Sequence, residues 1–275
     1  MALSTRVPLN FFDRPVPLVF AHRGGRALGP ENTIATFDAG LAAGADGLEL
    51  DVHLSADDIL VVHHDATLDR TTTASGPLAR YTAAELVGMP ADREFAATHR
   101  SATSTGGDAS ICIPTLSSVL ARYPDIPIIV EMKEDSEAMG QALAREVRAA
   151  SAQHRVCAAG YGLRSLRAVR RALPEMASSA SQPEVRLAVY RSWVRCPVRR
   201  VAYGGYQVPE RVGGTRVASP LFIRHAHAAG LRVQVWTVDE EADMRRLLTW
   251  GADALISNRP DAAVRIRDEF VRARR

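Results

Sequence analysis

A chain of 275 residues, 47% hydrophobic and 24% charged, has material for one sizeable core and is too ordinary in composition to be disordered or fibrous. Its net charge of +3 raises a nucleic-acid partner, but the arginines scatter along stretches such as LRSLRAVRRAL without any helix-turn-helix or RNA-binding signature, so no nucleic acid is expected. Apolar runs such as PLVFA and IPIIV fall far short of the roughly 20 residues that cross a bilayer.

The N-terminal MALSTRVPLNFFDRPVP lacks the apolar stretch and small-residue cleavage site of a secretory signal. Cys112, Cys157 and Cys196 are odd in number, widely spaced and outside any CxxC pair. A cytoplasmic protein without a disulfide framework or zinc knuckle is expected. VPLVFAH (16–22) then reads as a buried strand, a Gly-rich loop follows, and NTIATFDAGLAA (32–43) has helical spacing. A second strand is expected at 45–52 and, after a tight turn at 56–58, an extended segment at 58–64. Residues 66–115 are rich in Thr, Ser, Gly and Pro and offer one convincing helix, TAAELVGM at 82–89; a structureless loop of that length is improbable, so a small inserted cap is expected. The alternation continues with a strand at 126–132, a helix at 136–152, a strand at 155–160, a helix at 163–173 and a strand, VRLAVY, at 185–190. It blurs at GGYQVPERVGG and resumes with a helix at 220–229, a strand at 231–238, a helix at 240–250, a strand at 254–257 and a last helix at 261–274.

About eight parallel βα units in about 250 residues imply an α/β fold, a closed (β/α)₈ TIM barrel forming a single domain over 1–275. An open doubly wound sheet is the alternative, and HRGGRALG, unlike a GxGxxG turn, speaks against it. Barrel enzymes present their chemistry at the C-terminal strand ends. Here those ends carry His22 and Arg23, Glu49 and Asp51, His64, Glu131 and Lys133, and Trp236. Residues i and i+2 of a strand share a face, so Glu49 with Asp51, and Glu131 with Lys133, point the same way. Unpaired, such buried charges would cost several kcal/mol each, on the order expected for desolvated ions. A divalent cation on Glu49, Asp51 and Glu131 would compensate them, and oxygen ligands suit Mg²⁺ or Ca²⁺. A metal-free network of Glu131, Lys133 and Arg23 is the competing possibility. His22 and His64, beside these carboxylates, suit acid and base roles near neutrality. Lys133 is the chain's single lysine; every other Lys-or-Arg position is arginine. A compact ammonium there, with Arg23 and a cation, forms a site for an anion, a phosphoryl group above all.

The pieces AHRGG with PENT (21–33), GADGLELDVHLSADD (44–58), VVHHDATLDRTT (61–72), IPTL (113–116), EMK (131–133), VWTV (235–238) and GADALISNRP (251–260) together resemble the glycerophosphodiester phosphodiesterase family over nearly the whole chain. The resemblance implies a TIM barrel with a small insertion after the second strand and metal-dependent hydrolysis of glycerophosphodiesters to glycerol 3-phosphate and an alcohol. It implies His22 and His64 as acid and base, Glu49, Asp51 and Glu131 as metal ligands, Arg23 and Lys133 as phosphate contacts, and Trp236 lining the glycerol side. AAGYGL where the family often has Ser-Phe, Asp239 where Asn is common and ISNRP in place of Thr-Asp-x-Pro are departures expected at the pocket rim. A lysophospholipase D-like activity and a non-catalytic phosphate-binding barrel are the rival functions. The expected partner is a small phosphodiester, with no membrane span, and the oligomeric state is open.

Overall fold

The structure, a computed structural model, describes residues 11–99, 108–196 and 198–274. The expectations that touch residues 1–10 and 100–107 lie outside that set. Eight strands run parallel: β1 (Leu18–His22), β2 (Gly47–Leu54), β4 (Ile128–Met132), β5 (Val156–Ala159), β6 (Ala177–Ser178), β7 (Gly205–Pro209), β10 (Arg232–Trp236) and β11 (Ala254–Ser257). Their order around the sheet is β6-β5-β4-β2-β1-β11-β10-β7. A parallel bridge between Ser179 and Gly205 closes the ring, so the sheet is a barrel and the open alternative falls. A third short strand, β3 (Leu60–Val62), pairs antiparallel with the end of β2.

Alternation along the strands divides the side chains between two compartments. Val19, Leu48, Leu50, Val130, Val156 and Leu255 face outward into the main core, against the helices. Phe20, Ile129, Cys157, Ala177, Ala254 and Ile256 face inward, where Phe11 and Phe12 plug the lower end. The outer layer comprises α1 (Ile34–Ala42), α4 (Leu116–Arg122), α5 (Glu137–Ala149), α6 (Leu163–Ala172), α7 (Gln182–Trp193), α8 (Pro220–Ala228), α9 (Glu241–Trp250) and α10 (Pro260–Arg272). Side-chain caps start several of them, such as Thr33 on the N–H of Thr36 and Ser136 on that of Met139.

Between β3 and α4 the described chain forms two short helices, α2 (Ala83–Leu86) and α3 (Arg93–Thr98), around a small core of Val61, Leu68, Leu78, Ala83, Leu86 and Ile113. The helix expected at 82–89 is thus shorter, and α3 was not expected. A hairpin, β8 (Arg211–Val212) with β9 (Thr215–Arg216), follows β7.

The segment 185–190, expected as a strand, lies inside the helix α7. Val185, Leu187 and Val189 alternate as a strand would, but Ser181 and Glu184 form a capping box that starts a helix. The strand of this βα unit is the two-residue β6, too short to leave a periodic signal.

Candidate active site

Strand register builds the site before any side chain is considered. His22 on β1 pairs with Glu49 on β2, and Asp51 on β2 pairs with Glu131 on β4. Three consecutive strands therefore raise their inward-facing ends side by side. Glycine at position 47 permits the close approach beneath: a Cβ there would sit 2.5 Å from the Pro127 carbonyl oxygen and 2.6 Å from the Phe20 ring.

Oxygen atoms of Glu49, Asp51 and Glu131 lie within 4.8 Å of one another. Asp51, almost wholly buried, receives the Nδ2 of Asn32 at 2.9 Å and Lys133 Nζ at 2.7 Å, and the Arg23 guanidinium lies 3.4 Å away through Nε without a hydrogen bond. Lys133 also reaches Glu131 Oε1 at 3.0 Å. Burial pushes the Asp51 carboxyl up, but the charges of Lys133, Arg23 and His64 outweigh it and the net shift is downward. Burial likewise opposes the charge on Lys133, and the Asp51 and Glu131 carboxylates hold it protonated well above the usual lysine range. Among the described residues Glu49 has no such close cationic partner. It accepts the backbone N–H of Arg23 at 2.9 Å, and burial with the neighbouring Asp51 and Glu131 charges drives its carboxyl well above the ordinary value. The metal-free network expected as the alternative is thus partly present, yet it neutralises Asp51 and Glu131 and leaves Glu49 demanding a cation. Three oxygen donors with one uncompensated carboxylate fit a hard divalent ion.

His22 lies 3.8 Å from Glu49 Oε2 through Nε2. Its Nδ1 meets Asn258 Oδ1 at 2.7 Å, and Asn258 donates Nδ2 to Asp239 Oδ2 at 2.7 Å while Asp239 Oδ1 accepts the Asn258 backbone N–H at 2.8 Å. Asp239 fixes which way the amide points, so Asn258 presents its oxygen and His22 must carry its proton on Nδ1. The Nε2 is left as an acceptor. Burial, then the Arg23 charge, lowers the His22 pKa. His64 donates Nδ1–H to Asp65 Oδ1 at 2.6 Å and is more exposed than His22. The neighbouring His63 donates its backbone N–H to the Asp51 carbonyl at 3.0 Å, which sets this segment beside the end of β2.

Arg23, at φ 51, turns the chain sharply after β1. Its Nη1 donates to Glu31 Oε1 at 2.9 Å. Glu31 also binds Arg26 at 3.0 Å and Arg70 at 2.6 Å, and Arg70 holds Asp65 at 2.7 Å. One buried carboxylate therefore ties the first strand's loop to the segment that carries His64. Trp236 stands at the end of β10 with Tyr161 edge-on, centroids 6.1 Å apart. Burial first, then the carboxylate charges of Glu131 and Asp51, raises the Tyr161 pKa.

All eight expected residues thus surround one barrel mouth. Glu31, Asn32 and Asp65 were not singled out as site residues, and Tyr161, Asp239 and Asn258 entered only within the departures expected at the rim. Asp239 and Asn258 form a hydrogen-bonded pair that reaches His22. The signal was available: two departures, 19 residues apart, that exchange amide and carboxylate between partners.

A sequence model of the glycerophosphoryl diester phosphodiesterase family matches residues 22–262. Glycerophosphodiester phosphodiesterases of Caldanaerobacter subterraneus subsp. tengcongensis and Bacillus altitudinis are 29% and 28% identical, over 90% and 92% of this chain and 97% and 98% of theirs. The solved structure of a Silicibacter pomeroyi protein, 25% identical, superposes with a TM-score of 0.75, covering 94% of this chain and 95% of that one.

Proposed function

We propose that this chain, which belongs to the glycerophosphoryl diester phosphodiesterase family, hydrolyses glycerophosphodiesters to glycerol 3-phosphate and an alcohol by histidine acid–base catalysis with a divalent metal ion. The observation that carries the reading is the convergence of Glu49, Asp51 and Glu131 beside His22. These carboxylates would hold the ion, Mg²⁺ or Ca²⁺, whose chemistry when bound is to offset negative charge on phosphoryl oxygens.

The protein's own groups divide the remaining work. His22, with Nε2 free of a proton and its ring fixed by Asn258, removes a proton from the attacking oxygen, whether a glycerol hydroxyl or a water. His64, oriented by Asp65, returns one to the leaving alkoxide. Arg23 commits Nη1 to Glu31 and keeps its charge within 3.4 Å of Asp51, leaving its other amino group for a phosphoryl oxygen. Lys133 contributes a point charge on the same side. Trp236, with Tyr161, forms the apolar wall against which glycerol would lie.

Among the described residues no helix is long and apolar enough to cross a membrane. A reducing, cytoplasmic setting is proposed on three cysteines that form no disulfide. The test is release of glycerol 3-phosphate from glycerophosphocholine by the wild type, His22→Ala and His64→Ala. Each variant should fold normally and lose about 10²- to 10⁴-fold in kcat; an unchanged rate in either removes that histidine from the mechanism.

A further inference from the structure

Helix α7 buries Ala188, Val189 and Ser192 against the barrel. At 100° per residue, Leu187, Tyr190, Trp193 and Val194 fall on the opposite side, where a surface helix ordinarily carries polar residues. They are 55%, 61%, 56% and 57% exposed. Scattered exposed apolar side chains are ordinary; four on one outward helix face form a patch. The same patch is why the segment imitates a strand in sequence, with apolar residues on both sides of the helix.

The patch is framed by positive charge. From Ser181 to Tyr203 the chain carries five arginines and one acid, Glu184, which is held by Arg170 at 2.8 Å. Arg191 turns back to the Cys196 carbonyl at 3.2 Å. Arg186, Arg195, Arg199 and Arg200 are exposed and, among the described residues, have no carboxylate partner. Several exposed arginines on other helices are paired, Arg122 with Asp38, Arg171 with Glu137 and Arg245 with Glu269, while Arg164 and Arg167 on α6 stand apart from any carboxylate among the described residues. Exposed Arg224, on the neighbouring α8, is likewise without one.

We propose that the outer face of α7 and its flanking arginines dock the protein on an anionic lipid surface. Tyr and Trp rings settle at headgroup depth, Leu187 and Val194 reach the acyl boundary, and guanidinium forks bind lipid phosphates. Each arginine close to such a surface strengthens binding roughly fivefold at low salt. A second copy of the chain is disfavoured because it would set arginines against arginines, and a nucleic acid would leave Leu187 and Val194 without apolar contact. Because α7 starts near the C-terminal end of β6 and runs back along the barrel, Trp193 and the arginines after it lie away from the site. The mouth stays open to soluble substrate in the docked protein.

The experiment is co-sedimentation of the full chain with vesicles of phosphatidylglycerol and phosphatidylcholine in equal parts, and of phosphatidylcholine alone, at low and high salt. The wild type should pellet only with the anionic vesicles, and less at high salt. Tyr190→Ser with Trp193→Ser should weaken binding at least about tenfold, and Arg195→Glu with Arg199→Glu comparably, both retaining wild-type circular dichroism and glycerophosphocholine turnover. If one pair fails to fold, the other gives the same reading. The proposal is overturned by a wild type that stays in the supernatant, by binding that neither pair alters, by a dimer in sedimentation velocity that Tyr190→Ser with Trp193→Ser dissolves, or by preference for a single-stranded oligonucleotide over the vesicles.

Discussion

Replacing Lys133 by methionine keeps the length of the stem and removes only the charge. In the wild type that ammonium lies 2.7 Å from Asp51 and 3.0 Å from Glu131, and Asp51 is 1% exposed. Breaking a buried pair from one side typically costs about 3–5 kcal/mol, because the remaining charge is stranded. Arg23 at 3.4 Å and Asn32 at 2.9 Å still serve Asp51, which places the loss near the lower end, about 3 kcal/mol. For a chain of this size that is a fall in Tm of about 6–12 °C. Thermal melts in EDTA should show it. Added Mg²⁺ or Ca²⁺ should then recover about half or more of the loss, since a cation that binds only the folded state supplies charge where Lys133 did. Lys133→Arg should not substitute fully, because the planar fork needs more room than the ammonium occupies. A Lys133→Met variant that melts with the wild type in EDTA would refute the electrostatic account of the site.

Two further outcomes follow from the supporting residues. Burial pushes the Glu31 carboxyl up, but the Arg70 hydrogen bond and the charges of Arg23, Arg70 and Arg26 outweigh it and the folded-state pKa is lowered. A depressed carboxylate stabilises the fold above its unfolded pKa of about 4.5 and loses that contribution as pH falls through the folded value. Urea titrations below pH about 4.5 should therefore show a steeper stability loss in the wild type than in Glu31→Gln; parallel curves would count against the network. Asn258→Ala removes the acceptor that fixes the His22 tautomer and should lower kcat roughly 10- to 100-fold, the scale for losing an orienting partner, with little change in KM; an unaltered kcat would show that Asp239 and Asn258 do not act on His22.

What could be read from the sequence was what strand periodicity controls. Apolar runs ending in polar or charged residues revealed β1, β2, β4 and β11, and because i and i+2 share a strand face, the first three runs placed His22, Glu49, Asp51 and Glu131 on one mouth. The contacts that hold those side chains in position come from loops with no periodic signal. Asn258 is 236 residues from His22, and Asn32 bonds Asp51 across the loop after β1. Two barrel strands escaped for a related reason. β6 is two residues long, and β7 lies in a Gly-rich run where inward-facing Gly205 stands where a larger side chain would strike Phe12. Helix α7 was misread because its outward face is apolar, so alternation there reflected an unusual surface and not a pleat.

The most direct measurement is calorimetric titration of Mg²⁺ and of Ca²⁺ into the metal-stripped protein and its Glu49→Gln variant. Among the described residues no side-chain cation pairs closely with Glu49, so the wild type should bind a single divalent ion per chain and the variant at least about tenfold more weakly. Equal affinities in the two proteins, or no heat from either ion in the wild type, would contradict a metal centre on Glu49, Asp51 and Glu131.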